Sequence, residues 1–315
     1  MADEAATQLP PPAGQDVPAS INNLRQRTCL ALARSFLKGP LKRFGFRAPA
    51  ITRFDSMENY IEDRVADVSD YRSLFSRFAK FEGKTVLELG CNRGYLLHSF
   101  LQHEQFNAIG ADLDTSALDL ARQTYGDRIR FVQTTPTSIP VEDDSVDVIY
   151  TIDTVEHLSR PREIFEDAYR ILKPGGVFLV HFHPWLGPYG SHLEDIIPFP
   201  WPHVLFSMDV LLDVSAALYD SPDYIPAWYH YDQNGQKRLH NFNDRKFWSE
   251  YLNHITIRQF KLLLKKLPFE IVHLEKIGFG GKTFKLASYF RKLAQAPLTD
   301  EFCTNAVFCV LRKPQ

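Results

Sequence analysis

The sequence has few of the residues that build disulfide-rich, metal-stapled or membrane-spanning proteins. Its four cysteines, at positions 29, 91, 303 and 309, are scattered and form no Cys-x-x-Cys pair. This spacing argues against a disulfide framework and a zinc site, and it favours a reducing compartment. No apolar run approaches the roughly 20 residues that span a bilayer, and no signal-peptide pattern opens the chain. We therefore expect a cytoplasmic protein.

An excess of charge of one sign is also lacking. The chain has 36 Lys and Arg against 38 Asp and Glu, a formal net charge of -2, which predicts no nucleic-acid partner. What is present is ordinary for a globular protein, with 44% hydrophobic residues in a chain of 315. One elaborated α/β domain with a large insertion accounts for this length.

The first 56 residues predict two segments that precede the core. Residues 1–20 are rich in proline and small or polar residues, which predicts a disordered tail. Residues 21–56 form a basic helical segment, since eight Lys or Arg and no acidic residue occur between Leu24 and Arg53. Such a helix can make peripheral contact with an anionic membrane, or it can be a solvated helix packed on the domain.

From residue 57 onward, strand and helix patterns alternate. Predicted strands cover residues 84–89, 108–111, 129–132, 146–151 and 177–182, and predicted helices cover 95–103, 116–125 and 162–172. This alternation predicts a mostly parallel sheet with helices on both faces. Two further strands, 269–274 and 305–311, are expected to close one edge.

The alternation stops after the fifth strand. Residues 184–255 are rich in aromatic and turn residues and predict an inserted lid over a substrate. Residues 57–183 then form a cofactor-binding core, and residues 256–315 supply the last helix and strands. The aromatic residues can wall a substrate, or they can form the core of the insertion itself.

A glycine-containing turn links the first strand to the first helix of the core. The spacing is Glu88-x-Gly90-x-Asn92-x-Gly94, which differs from the Gly-x-Gly-x-x-Gly rhythm that receives a pyrophosphate. Asp112 ends the second strand, where a carboxylate can accept hydrogen bonds from both hydroxyls of a ribose. Together these residues indicate a nucleoside ligand.

Longer blocks of sequence carry a family resemblance. The blocks are Val86-Leu87-Glu88-Leu89-Gly90-Cys91-Asn92-Arg93-Gly94, Ile109-Gly110-Ala111-Asp112, Val155-Glu156-His157-Leu158 and Tyr169-Arg170-Ile171-Leu172-Lys173-Pro174-Gly175-Gly176. In this order they resemble the class I methyltransferases, in particular those of methyltransferase type 11. The resemblance implies a Rossmann-like seven-stranded sheet with an antiparallel edge, and S-adenosylmethionine as cofactor.

The resemblance also implies roles for individual residues. Gly90, Cys91, Asn92 and Gly94 would form the turn around the methionine moiety, Asp112 would hold the ribose, Leu113 would cover the adenine, and Asp153 would lie beside the ammonium and sulfonium. Glu88 either organises the loop or contacts the cofactor. Tyr60 and Arg64 can close over the cofactor carboxylate or lie on the surface.

Where the family commonly has Asp-Ala, this chain has Thr135-Pro136, and proline has no N–H to donate. The Thr135 hydroxyl, the backbone beyond it or a water must therefore read the adenine.

Histidines crowd the expected substrate side. His181 and His183 lie at the end of the fifth strand, and His192 follows in the insertion. Each is a candidate base for an oxygen acceptor, and each can equally be a structural residue. A His-x-His pair also suggests a metal, but no carboxylate cluster accompanies it, so we expect none.

These observations predict methyl transfer to a small molecule, such as a specialised metabolite or a glycan or lipid-linked acceptor. Oxygen is the preferred acceptor because of the histidines, and carbon or nitrogen acceptors would use the same scaffold. A non-catalytic scaffold that binds the cofactor is the alternative from another class of protein. Methylation of nucleic acid is disfavoured by the neutral charge.

Overall fold

The structure is a computed structural model, and it describes residues 21–41, 59, 62, 65–66, 68–222, 224, 230–231, 234–280, 284 and 286–315. The chain divides into two compact units. The sheet unit comprises the described parts of Glu58–Phe182, Ile257–Glu275 and Ala306–Gln315. The helical unit comprises the described parts of Met1–Met57, His183–Thr256 and Lys276–Asn305.

The central element of the fold is one seven-stranded sheet. Its strands are β1 Thr85–Leu89, β2 Asn107–Asp112, β3 Ile129–Gln133, β4 Val146–Ile152, β5 Leu172–Phe182, β6 Glu270–Gly278 and β7 Thr304–Arg312. The strand order is β3-β2-β1-β4-β5-β7-β6. Strands β1 to β5 pair in parallel, whereas β7 runs antiparallel to β5. The predicted Rossmann-like sheet with an antiparallel edge is confirmed.

The described residues form the following helices, numbered in chain order. They are α1 Leu24–Leu37, α2 Val68–Phe75, α3 Tyr95–Leu101, α4 Thr115–Tyr125, α5 Pro161–Ile171, α6 Pro202–Leu205, α7 Met208–Tyr219, α8 Arg245–Tyr251, α9 Ile257–Leu264, α10 Ala287–Leu293 and α11 Asp300–Cys303. Local signals begin several of them. Asp114 accepts hydrogen bonds from two backbone N–H groups at the start of α4, and α5 begins with a proline. Among the described residues, no helix has the length and apolar character needed to cross a membrane.

The sheet unit has an aromatic core beneath the β1–α3 connection. The rings of Phe75, Phe81, Phe100 and Tyr150 lie with their centroids 5.4 to 6.5 Å apart. These four side chains are almost fully buried, so each contributes a large apolar area to stability. The core holds the strand ends that precede the glycine turn.

The helical unit has its own core, which joins α1 to α7. Cys29 and Ala33 of α1 are fully buried in a cluster with Leu211 and Val214 of α7, and Gln26 Nε2 donates to Asp213 Oδ2 at 2.7 Å. Helix α7 was not predicted, because its residues are apolar on nearly every side and show no amphipathic period. Its surroundings explain the pattern, since eight of its residues are buried.

The fifth strand begins earlier than predicted and ends at the predicted residue. It begins at Leu172 rather than Val177, with Pro174, Gly175 and Gly176 inside it. It ends at Phe182, so His183 lies beyond the strand. Strand alternation places side chains two residues apart on one face of a sheet, and it stops at Phe182, before His183.

Candidate functional site

The turn between β1 and α3 has the backbone conformation that its glycines allow. Gly90, Asn92 and Gly94 have φ values of 81°, 49° and 73°, in the left-handed region. Glycine adopts this region without cost, and asparagine is among the side chains that tolerate it. The N–H groups of Gly90 and Cys91 donate to the carbonyl of Ala111 at 2.7 and 3.1 Å, so the turn is fixed against the end of β2.

Close neighbours leave no room for a side chain at two of these glycines. A Cβ on Gly90 would lie 2.1 Å from Thr154 Oγ1, and a Cβ on Gly94 would lie 2.8 Å from the ring of Phe131. Real Cβ atoms do not approach other atoms this closely, so the turn forms a narrow cradle of bare backbone. Neither Thr154 nor Phe131 was singled out in the sequence. Thr154 lies in the loop that follows β4, and the pairing of β1 with β4 brings that loop beside the turn.

Asp112 is held in a fixed orientation by two backbone donors. Its Oδ2 accepts from the N–H of Asn92 at 2.6 Å, and its Oδ1 accepts from the N–H of Asp114 at 2.9 Å. Burial raises the pKa of this carboxyl, and these two hydrogen bonds oppose the rise. Each carboxylate oxygen has further acceptor capacity, so the pair can receive two ribose hydroxyls. Leu113 is next in the chain, and 57% of its surface is exposed.

Glu88, near the end of β1, and Cys91, within the turn, are both buried. Glu88 is 4% exposed and Cys91 is 3% exposed. Burial raises the pKa of Tyr150 well above its usual value, and the Glu88 carboxylate adds to that rise. Burial likewise raises the pKa of the Cys91 thiol, followed by the charges of Glu88 and Asp112. These environments describe an inert thiol and a carboxylate enclosed by the β1 end.

The Thr135 hydroxyl stabilises its own loop. Thr135 Oγ1 accepts from the N–H of Ser138 at 3.0 Å and from that of Thr137 at 3.3 Å, and it lies 2.9 Å from Ser138 Oγ. The first two N–H groups beyond Pro136 are therefore engaged by Thr135. These two N–H groups therefore already have an acceptor inside the loop. They are the backbone groups through which one of the predicted routes would recognise an adenine.

Asp153 and His181 contact each other at the carboxyl ends of β4 and β5. His181 Nδ1 lies 3.1 Å from Asp153 Oδ1, and the N–H of Asp153 donates to the His181 carbonyl at 3.0 Å. Asp153 has a φ of 52°, an uncommon conformation for a residue with a side chain. His181 is 7% exposed, and the edge of the Tyr71 ring lies against it with centroids 5.5 Å apart. The sequence placed both residues at this edge but did not predict their contact.

The other two candidate histidines lie in the helical unit. His183 Nδ1 donates to the carbonyl of Asn305 at 2.6 Å. His192 has a φ of 53°, and its ring lies edge-on to Tyr251 with centroids 6.4 Å apart. Tyr60 and Arg64, the two other predicted cofactor contacts, lie outside the described residues.

A separate histidine group surrounds Trp185 in the helical unit. His203 Nε2 donates to the Trp185 carbonyl at 2.6 Å, and the rings of His203 and His254 lie 4.6 and 3.9 Å from the indole. Burial lowers the pKa of His203 to about 4, with a smaller lowering from His254. The hydrogen bond to Trp185 opposes this shift. His203 therefore stays neutral in the folded chain at neutral pH.

Replacing His203 by glutamine is expected to reduce the loss of stability in acid. An unfolded histidine has a pKa of about 6.5, so between about pH 6.5 and pH 4 the unfolded chain binds more protons and stability falls as the pH falls. From about pH 7 to pH 5, the free energy of unfolding of the wild type should drop by about 2 kcal/mol more than that of His203→Gln. Urea titrations at both pH values measure this difference. The exposed His103, replaced in the same way, is the matched control, and an equal drop in His203→Gln and wild type would refute the assignment.

Comparisons with known proteins bear on the same segment. Residues 87–180 match a family model described as a methyltransferase domain. An uncharacterized methyltransferase of Mycolicibacterium vanbaalenii is 31% identical over 153 residues, which are 48% of this chain and 58% of the relative. An uncharacterized methyltransferase of Mycobacterium tuberculosis is 32% identical over 111 residues, 35% of this chain and 43% of that protein. The chain thus spans about half the length of these curated relatives.

Solved structures with low sequence identity were also found. An S-adenosylmethionine-dependent methyltransferase from Mesorhizobium loti has a TM-score of 0.48 and 15% identity, covering 79% of this chain and 99% of its own. A geranyl diphosphate C-methyltransferase from Streptomyces coelicolor has a TM-score of 0.47 and 12% identity, covering 92% of this chain and 99% of its own.

Proposed function

We infer that this chain, whose residues 87–180 form a methyltransferase domain, transfers the methyl group of S-adenosylmethionine to an acceptor. One observation carries the proposal. The backbone N–H of Asn92, in the glycine turn, donates to Asp112 at 2.6 Å and thereby joins a bare-backbone cradle to an oriented carboxylate. A nucleoside with a compact amino-acid tail fits this combination, since the ribose needs the carboxylate and the tail needs the cradle.

The residues present fit this cofactor. Gly90 and Gly94 have no room for a Cβ beside Thr154 and Phe131, so the turn consists of backbone at these positions, and that backbone would contact the methionine moiety. Asp112 would hold the ribose, and the exposed Leu113 would lie over the adenine. When bound, the cofactor supplies an electrophilic methyl group on a sulfonium. The remaining tasks, which are orienting the acceptor, excluding water and removing a proton, fall to the chain.

We propose a small-molecule acceptor with a hydroxyl group as the site of methylation. An alcohol or phenol must lose its proton as the new O–C bond forms and the S–C bond breaks. Asp153 accepts the Nδ1 proton of His181, which leaves Nε2 as the basic nitrogen. His181 Nε2 would then take the acceptor proton, and Asp153 would stabilise the imidazolium. A nitrogen acceptor with a free lone pair can attack without such a base, whereas a carbon acceptor must also lose a proton. Loss of turnover in His181→Gln would therefore separate the proposed hydroxyl acceptor from a nitrogen acceptor.

Isothermal calorimetry with S-adenosylmethionine tests the proposal directly. We expect binding to the full chain, and we expect a labelled methyl group to pass from the cofactor to low-molecular-weight components of an extract from the protein's own cells. Absence of binding would refute the proposal. Binding without transfer to any component would instead support the non-catalytic scaffold.

Replacing His181 by glutamine is expected to lower kcat about 10²-fold while the cofactor Kd stays unchanged, because the proton acceptor is lost and the cradle is kept. Asp153→Asn should lower kcat less and shift the pH profile, as expected of a positioning residue. Turnover is measured with saturating cofactor and the acceptor that the extract experiment identifies. His183→Gln and His192→Gln are matched controls. Full activity in His181→Gln would exclude histidine catalysis at this position.

A further inference from the structure

The helical unit exposes an unusual concentration of large apolar side chains. The described residues include twelve large hydrophobic side chains that are exposed, and six of them fall in two short segments: Val204, Leu205, Leu286, Tyr289, Leu298 and Phe302. Leu205, Leu286 and Tyr289 are 62%, 57% and 60% exposed, and Leu298 is 94% exposed. Single exposed hydrophobics are normal on a soluble protein, whereas a cluster marks an interaction surface.

Trp201 holds the two segments together. Its Nε1 donates to the carbonyl of Phe302 at 2.8 Å, and its ring stacks on Phe290 with centroids 5.9 Å apart. Helix α6, which carries Val204 and Leu205, begins directly after Trp201, and Phe290 follows Tyr289 in α10. The exposed side chains of α6, α10 and Phe302 therefore lie around one anchor. Together with Leu286, which directly precedes α10, and Leu298, which lies just before α11, we call these exposed apolar side chains the α6–α10 surface.

Exposed basic side chains lie on α10 beside the apolar ones. Residues 276–299 include five Lys or Arg and no Asp or Glu, and Arg291 and Lys292 of α10 are exposed. The nearest following acid, Asp300, is 9% exposed and pairs with Lys276 at 3.2 Å. The exposed basic side chains of Arg291 and Lys292 thus accompany the apolar ones, and Glu301, next to Phe302, is a half-buried acidic residue of the same region.

The basic helix α1 belongs to the same unit and lies near this surface. Phe36 of α1 contacts Phe199 with centroids 6.0 Å apart, and Phe199 contacts Phe206 at 6.2 Å. Phe206 directly follows α6. Arg25 and Arg27 of α1 are exposed. The described parts of the two acid-free segments of the chain, 24–53 and 276–299, therefore both belong to the helical unit.

We propose that the α6–α10 surface binds reversibly to an anionic lipid bilayer. Apolar side chains enter the boundary between headgroups and acyl chains, while Lys and Arg bind the acidic headgroups. A nucleic acid would match the basic residues but would leave leucines such as Leu286 and Leu298 in water. A protein partner would not require two long stretches without acidic residues. The combination of both features favours lipid.

Co-sedimentation of the full chain with vesicles tests the proposal without any activity assay. We expect binding to vesicles of phosphatidylcholine mixed with phosphatidylserine, weaker binding to phosphatidylcholine alone, and a decrease as salt is added. Arg291→Gln/Lys292→Gln should weaken partitioning about 25-fold, since each basic residue contributes about fivefold near an acidic surface. Leu286→Ser/Leu298→Ser should weaken it about tenfold or more, because apolar burial is lost.

Matched variants in the sheet unit test whether binding depends on this surface in particular or on the charge and hydrophobicity of the protein as a whole. Lys265→Gln/Lys266→Gln removes an adjacent exposed basic pair, and Leu262→Ser removes a leucine that is 48% exposed. Both should retain wild-type partitioning. Circular dichroism and Tm verify that each variant is folded, and all substituted side chains are exposed.

Three results would overturn the proposal. The first is no sedimentation with acidic vesicles at low salt. The second is sedimentation that the Arg291/Lys292 and Leu286/Leu298 variants leave unchanged. The third is an alternative occupant: self-association in analytical ultracentrifugation that Leu286→Ser/Leu298→Ser abolishes, or binding of duplex DNA or RNA in place of vesicles.

Discussion

Replacing Asp112 by alanine is expected to raise the Kd for S-adenosylmethionine about 10³-fold. Two hydrogen bonds from ribose hydroxyls to a carboxylate are worth about 1.5 to 3 kcal/mol each, so their loss amounts to roughly 4 kcal/mol. The substitution also removes the acceptor for the Asn92 N–H, which helps to fix the turn. Calorimetry with the purified variant measures the change.

Two variants make this result interpretable. Asp112→Asn keeps one acceptor oxygen and the shape of the side chain, so its Kd should lie between those of wild type and Asp112→Ala. Asp119→Ala removes an exposed carboxylate of α4 that pairs with Arg122 at 2.7 Å, and it should bind as wild type does. An unchanged Kd in Asp112→Ala would refute the ribose role.

Acidification should weaken cofactor binding at the same residue. Burial raises the pKa of Asp112, so protonation begins at a higher pH than for an ordinary aspartate. The protonated carboxyl has less capacity to accept hydrogen bonds from two hydroxyls. Affinity is therefore complete above the raised pKa and declines as the pH falls through it.

The sheet and the cofactor turn were predictable because their signals are local. Strands such as Thr85–Leu89 are mostly apolar and are buried along nearly their whole length, as expected for strands covered on both faces, and turn residues separate them from helices. The glycine spacing after β1 and the aspartate after β2 lie within one βαβ unit. Residues 87–180, which contain this unit, match a family model described as a methyltransferase domain.

Contacts between distant residues could not be read from the sequence. Asp153 and His181 are 28 positions apart, and their contact depends on the pairing of β4 with β5. Helix α7 was missed for a different reason. Its residues are apolar all round because α1 and the loops around Phe199 bury it, and no local period records such surroundings.

Gly90→Ala is the second substitution with a large expected effect, on both stability and cofactor affinity. The new Cβ would lie 2.1 Å from Thr154 Oγ1 and 2.5 Å from its Cγ2. Overpacking costs about 1–3 kcal/mol, and a φ of 81° costs alanine about 1–2 kcal/mol more. A turn that must move to relieve the clash populates the binding-competent conformation less, so the Kd should rise ~10²- to 10³-fold.

A control and a rescue separate the clash from the backbone strain. Gly83 has a φ of 69° and no atom within 4 Å of its would-be Cβ, so Gly83→Ala reports the φ cost alone and should retain cofactor affinity. Thr154→Ala removes Oγ1 and Cγ2 but leaves a Cβ at 2.9 Å, so Gly90→Ala/Thr154→Ala should recover about tenfold in affinity and part of the lost Tm. Because the two residues lie in different loops, recovery would come only from their contact. If the double variant is as impaired as the sum of the single ones, the cradle is not shaped by Thr154.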